Sequence, residues 1–335
     1  MAPTPHQPPP RTPARTPPRT RLWKLTLLAR RHAPVLLALL VTALLAGHAA
    51  VPDGGPRLGS LVETFLPWLG LAVPPLLLFT LLRRRTPVAL CAALLPALTW
   101  AWLFGPHLLP RAEPRTDLTV VQHNVNDVNP DPAATARAVA APRPDLIALE
   151  EVTPDSLPVL RAVLRERYPH HAASGTVALF SRHPLADVRP LDIRPAGVDP
   201  SWQRALRATV RLPRHGELAV LVAHLPSVRV SPTAGFTSAR RDESARLLAA
   251  AIDAEPLPRV LLLGDLNSTL DDGGLAPLTA RLATPVHGGL SFTWPAAFPL
   301  ARIDQVLARG PRSLHVTSLP PTPSDHLPLL AHLRL

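Results

Sequence analysis

Apolar positions are distributed along this chain in two different ways. Between residues 33 and 104 they run almost unbroken, in stretches at 33–51, 61–82 and 87–104 that approach the ~20 residues a helix needs to cross a bilayer. Pro67, Pro74 and Pro75 predict a kinked second span, tolerable where neighbouring helices re-satisfy the freed backbone groups. Beyond residue 115 the apolar runs shorten to strand length and alternate with amphipathic stretches, with Pro and Gly clusters between them. The pattern predicts strands at 118–122, 146–149, 176–181, 206–211, 218–224, 260–263 and 305–308, and helices at 132–141, 158–168 and 238–253. It describes an α/β sandwich, a class that carries its chemistry at strand ends and in the loops after them.

Charge sharpens the division. The chain has a formal net charge of +11, which taken alone suggests a nucleic-acid partner. From Arg115 onward, however, there are 23 Arg, no Lys and 21 acidic residues, so the soluble part is close to neutral. The excess lies in Arg11, Arg15, Arg19, Arg21, Lys24, Arg30 and Arg31 before the first span, and in Arg83, Arg84 and Arg85 between the second and third. The loop between the first two spans has only Arg57. Positive charge favours the cytoplasmic side. The expectation is therefore a multi-pass cell-membrane protein with a cytoplasmic N-terminus, three transmembrane helices and an extracytoplasmic catalytic domain. The segments read as a disordered Pro/Arg-rich tail (1–32), a three-helix anchor (33–105), a linker (106–116) and a catalytic domain (117–335). Among acidic, basic and histidine residues the spans hold only His48 and Glu63, each near an end, which favours an anchor over an ion path. The single cysteine, Cys91, rules out an internal disulfide and neither compartment.

Six short segments carry chemistry. They are Gln122-His123-Asn124-Val125-Asn126, Leu149-Glu150-Glu151-Val152, Ser181-Arg182-His183-Pro184-Leu185, Ala223-His224-Leu225, Gly264-Asp265-Leu266-Asn267 and Ser324-Asp325-His326, with Arg302-Ile303-Asp304 in addition. Each has a plain structural explanation when taken singly. Glu151 could be a solvated strand-end acid, Asp265 a turn cap, His224 a core histidine, and Asp304 a partner for a surface arginine. Together they supply what phosphate-ester hydrolysis needs. Carboxylates suit a hard cation, a carboxylate-held histidine can move a proton, and asparagines orient water or phosphate without adding negative charge.

In order and type these segments resemble the endonuclease/exonuclease/phosphatase superfamily, the deoxyribonuclease I-like fold, over about residues 118–333. The superfamily spans nucleases, sphingomyelinases and inositol-polyphosphate phosphatases. The resemblance implies a four-layer α/β sandwich of two packed sheets flanked by helices, and dependence on Mg²⁺ or Mn²⁺. It implies that Glu151 is the principal metal ligand, supported by Asp325, and that Asn124 contacts the metal-bound water or the phosphate. By the same resemblance Asp265 positions or deprotonates the attacking water, Asn267 binds the scissile phosphate, and His326 contacts phosphoryl oxygens while Asp304 orients it. His224 matches a phosphate-contacting position. Glu150 stands where the family usually has Gln, Ala223 where it has Thr, and Asn126 where some members have Asp. After His224, the segment 226–241 offers Arg229, Arg240 and Arg241 for phosphate recognition, Arg229 foremost. The expected partners are a phosphate-ester substrate (nucleic acid, phospholipid or small phosphoester) and the bilayer. The competing expectation is a catalytically silent, membrane-tethered binding or sensing domain on the same fold.

Overall fold

The computed structural model describes residues 19–82, 86–109, 115–285, 289–311 and 313–335. Residues 1–18 of the expected tail, the basic loop at 83–85 and residues 110–114 of the expected linker lie outside them.

The apolar part begins with α1 (Arg19–Gly47), which already covers much of the segment expected to be a disordered tail. No proline falls between Pro18 and Pro34, and Leu, Ala, Arg and Lys there all favour helix. The second apolar stretch is broken rather than continuous. It comprises α2 (Leu58–Thr64), a 3₁₀ segment over Leu66–Ala72 and α3 (Val73–Leu82), with a bend of 72°. Pro67 removes a backbone donor at the break, and the Trp100 indole N–H donates to the Pro67 carbonyl at 2.7 Å. A Cβ on Gly70 would meet the Trp100 ring at 2.5 Å, so only glycine admits that ring. The third stretch is α4 (Pro87–Leu108), which extends into the expected linker. His32–Ala50 and Pro87–Leu108 are each long and apolar enough to cross a membrane, and the bent pair makes a third only if counted as one span.

The following domain runs β1 (Leu118–Asn124), α5 (Pro132–Ala140), β2 (Leu146–Glu150), α6 (Ser156–Leu164), β3 (His170–Ser174), β4 (Val177–Ser181), β5 (Leu185–Pro190), β6 (Ala205–Leu212), β7 (Gly216–Ala223), β8 (Val230–Ser231), β9 (Gly235–Phe236), α7 (Ala239–Asp253), β10 (Val260–Asp265), α8 (Ala276–Thr279), β11 (Asp304–Arg309), β12 (Ser313–Ser318) and β13 (Leu329–Arg334). Two mixed sheets form, six strands in the order β12-β13-β1-β2-β4-β3 and five in the order β11-β10-β7-β6-β5, with β8–β9 as a separate small hairpin. The central strands are apolar on both faces. In β10, Leu261 and Leu263 enter the core between the sheets, while Val260 and Leu262 pack outward with Leu248, Ile252, Leu275 and Leu278 from the α7–α8 side. On the other side Val121, Ile147 and Phe180 pack with Ala136, Val139, Leu160 and Leu164 from α5 and α6. The result is the expected sandwich of two sheets flanked by helices. Asp131 starts α5 by accepting from the Ala134 N–H at 2.8 Å, with Pro132 in the first turn.

Candidate active site

The parallel pairs β1–β2 and β7–β10 sit at the centres of the two sheets. Their C-terminal ends bring the candidate residues together. On β1, alternation sends Gln122 and Asn124 to the same side. The Gln122 amide donates to Glu150 Oε2 at 2.8 Å and to Asp304 Oδ1 at 2.9 Å, bridging the sheets. The Asn124 amide donates to Asp265 Oδ2 at 3.0 Å. Asp265 at the end of β10 and Asp304 at the start of β11 are register partners across an antiparallel ladder. Both are buried. His326 Nδ1 donates to Asp304 Oδ2 at 2.8 Å, and its Nε2 lies 3.8 Å from Asp265 Oδ2.

The other oxygen of Asp265 accepts from the Asn267 N–H at 2.9 Å, so this residue does cap a turn as well. Asn267 lies beyond the strand with φ +48, and its amide donates to the Leu225 carbonyl at 2.9 Å. Its place beside Asp265 therefore comes from that turn, not from strand alternation. The glycine of the same motif is required by packing, since a Cβ on Gly264 would come 1.8 Å from the Ala223 carbonyl oxygen. The Arg204 guanidinium lies 3.3 Å from His224 Nδ1 and 3.5 Å from its Nε2, and that Nε2 lies 3.7 Å from Asp265 and 3.8 Å from Glu151. Burial, with Arg204 and His326 adding to it, pushes the His224 imidazole down to about 3, so it is neutral.

Electrostatics separate the remaining groups. Burial alone would lower His326, but Asp304 and Asp265 outweigh it and hold the imidazolium up to about 10. Burial and the neighbouring Asp304 raise the Asp265 carboxyl. Burial would also raise Asp304, yet His326 holds it below its ordinary range. Glu150 is raised well above the usual carboxylate range, by burial first and Asp304 next.

Glu151 stands with φ +57 at the cleft, half-exposed, and accepts from the Asp127 N–H at 3.1 Å. Asp325 is exposed and accepts from the Asn126 amide at 2.9 Å. Arg229 is exposed on the rim. One cleft of about 520 Å³ contains Glu151, Asp265, Asn267, Asp325, His326 and Arg229 in its lining. Arg240 is exposed, whereas Arg241 is wholly buried and bonds Asp242 at 2.6 Å and Asp272 at 2.8 Å, so it is no phosphate hand. Sequence reasoning left Gln122 and Arg204 unassigned. Gln122 was within reach, being two residues before Asn124 on one strand; the role of Arg204 has no local signal.

The donor set suits a hard divalent cation. Glu150 Oε1 is buried without a hydrogen-bond partner, and several carboxylates crowd one imidazolium. Asp265, Asp304 and His326 also offer ligand atoms within 4.8 Å of one another. His326 Nδ1 is already bonded to Asp304 at 2.8 Å, which leaves Nε2 as its free ring nitrogen.

Residues 121–326 match the model of the Endonuclease/Exonuclease/phosphatase family, and the chain belongs to that family. Similar folds occur in sphingomyelinase C from Streptomyces griseocarneus (20% identity, 64% of this chain and 98% of that one, TM-score 0.52). A family protein from Bacteroides thetaiotaomicron is alike too (18% identity, 66% and 98%, TM-score 0.55). So is a Staphylococcus aureus beta toxin variant with bound magnesium ions (14% identity, 65% and 99%, TM-score 0.55). Among curated protein sequences none matches this chain.

Proposed function

We propose that this protein is a membrane-anchored, Mg²⁺- or Mn²⁺-dependent hydrolase of phosphodiester or phosphomonoester bonds, acting at the outer face of the membrane. The observation that carries the reading is the Asp304–His326–Asp265–Asn124 chain of contacts, at 2.8, 3.8 and 3.0 Å, opening on the cleft. Glu151 would hold the metal, with Asp325 supporting its waters, and the bound cation would neutralise charge developing on the phosphoryl oxygens. Asp265, its carboxyl raised toward neutrality, accepts a proton from the attacking water as the new O–P bond forms. His326, held as an imidazolium by Asp304, donates to the phosphoryl oxygens or to the departing oxygen as the old P–O bond breaks. Asn124 and Asn267 orient the reacting groups, and His224 holds a neutral imidazole toward them. Family members are typically metal-dependent phosphoric ester hydrolases, and the magnesium-bearing beta toxin supports the metal. The test is hydrolysis of a panel of phosphoesters by the full chain. Excess chelator should abolish turnover, Mg²⁺ or Mn²⁺ should restore it, and Glu151→Gln should raise the metal concentration required. Undiminished turnover in chelator would sink the mechanism.

A further inference from the structure

The cleft is not made by the catalytic domain alone. Thr64 and Phe65, at the break between α2 and the 3₁₀ segment, are part of its lining together with Asp265 and His326. The segment that provides this wall is fastened by buried polar contacts. Ser60 donates to Asp272 at 2.6 Å, Arg241 donates to Ser60 at 3.0 Å and to Asp272 at 2.8 Å, and Glu63 accepts from the Gly273 N–H at 2.8 Å. Arg57 pairs with Asp242, and the Phe236 N–H donates to the Pro56 carbonyl at 2.9 Å. Groups of this kind are costly to bury unless each finds a partner, so the seat is specified rather than incidental. Arg241 also reaches the Asn267 carbonyl at 3.4 Å, which ties the anchor's seat to the catalytic loop.

Just past Phe65 the same segment enters an apolar cavity of about 350 Å³ lined by Pro67, Trp68, Leu71, Pro74, Trp100 and Phe292. The Trp68 and Phe292 rings stack with centroids 5.6 Å apart. The rim of the cleft is apolar as well. Val230 on the small hairpin is 73% exposed, and Phe298, on the loop that begins at the cleft-lining Trp294, is 67% exposed. Among the described residues, Arg229 is the one cationic side chain in the lining apart from His326. Nucleic acid is held through many cationic phosphate contacts, which the described lining does not offer.

We infer that the anchor supplies a substrate-selecting wall of the active site, and that the site takes an amphiphilic phosphoester from the bilayer holding the anchor. The phosphoester group enters the cleft between Phe65 and His326, while the apolar portion follows residues 65–74 toward the membrane. This rests on the hydrolase reading above, and it makes Phe65 a specificity determinant rather than a catalytic residue.

The experiment uses the full chain reconstituted with Mg²⁺ in vesicles of phosphatidylcholine, phosphatidylglycerol and sphingomyelin. Release of headgroup or phosphate is measured beside hydrolysis of soluble bis(p-nitrophenyl) phosphate. The expected result is lipid turnover, with a lipid-to-soluble ratio of kcat/KM that falls about tenfold in Phe65→Ala and recovers in Phe65→Leu, as loss of an apolar contact to substrate commonly does. Melting midpoints of both variants separate this from unfolding. Hydrolysis of the soluble diester with no release from any vesicle lipid would overturn the inference while leaving the hydrolase reading intact. An equal fall on both substrates in Phe65→Ala would also overturn it. Inactivity on both substrates in the parent chain would overturn this inference, and inactivity across the whole phosphoester panel would overturn the hydrolase reading with it.

Discussion

Asp265 divides its two oxygens between structure and chemistry: one closes the turn to Asn267, and the other faces Asn124, His224 and His326. In the proposed mechanism the carboxyl and the imidazolium of His326 act on one reaction, so removing either should disable it. Asp265→Asn and His326→Ala should each lower kcat by on the order of 10²-fold or more. The double variant should lose less than the product of the two effects, because groups that act as a unit are not additive. Turnover on the best substrate, with circular dichroism to establish folding, is the measurement, and a folded single variant with near-normal kcat would refute the assignment. These two residues were legible in the sequence because Gly-Asp-Leu-Asn and Ser-Asp-His are local segments that resemble the family's in type and order. The buried place of Arg241 was not legible for the converse reason: a free phosphate-binding arginine and a buried structural one look the same along the chain.

At the scale of elements, α7 is gripped near both ends. At its N-terminal end Arg241 is buried against Asp272 and Ser60. Asp272→Ala would strip that guanidinium of its main buried counter-charge, a loss of roughly 3–5 kcal/mol where a buried pair is broken. A fall in the chemical-denaturation midpoint should register it, and an unchanged midpoint would refute this account of the seat. Past its C-terminal end, Glu255 receives two hydrogen bonds from Arg207 of β6, at 2.9 and 3.0 Å. Burial pushes the Glu255 carboxyl up, but Arg207 and the Leu257 N–H outweigh burial and hold it below its ordinary value. A depressed folded-state value means stability that is fully present above the unfolded value near 4.5 and is lost as pH falls through the folded one. Glu255→Gln should therefore flatten the pH dependence of the melting midpoint below about pH 5. Equal slopes in variant and parent would show that the pair contributes nothing there. The central strands β1, β2, β7 and β10 were legible as apolar runs because both of their faces are buried. The edge strand β5 and the strands β12 and β13 mix His, Arg and Ser with apolar residues, so they carried no comparable signal. The span expected at 61–82 was legible as apolar and proline-bent, but not as starting at Leu58 with a bend of 72°.

For the whole molecule, the arginine asymmetry predicts a cytoplasmic N-terminus and an extracytoplasmic domain. A periplasm- or exterior-active reporter fused at Leu335 should be active, and a reporter active only in the cytoplasm should be silent there. The opposite result would invert the topology and place the proposed chemistry on the inner face. Sequence by itself determined the two-part organisation, the α/β class and most of the catalytic candidates, because hydrophobic period, charge bias and short motifs are properties of neighbouring residues. Tertiary structure alone decided that Asp265 lies opposite Asp304, that Gln122 bridges two sheets and that the segment after α2 lends Phe65 to the cleft. Those facts depend on partners far apart in the chain, as Ser60 and Arg241 are at 181 residues, and no local pattern encodes which distant side chains a closed core will press together.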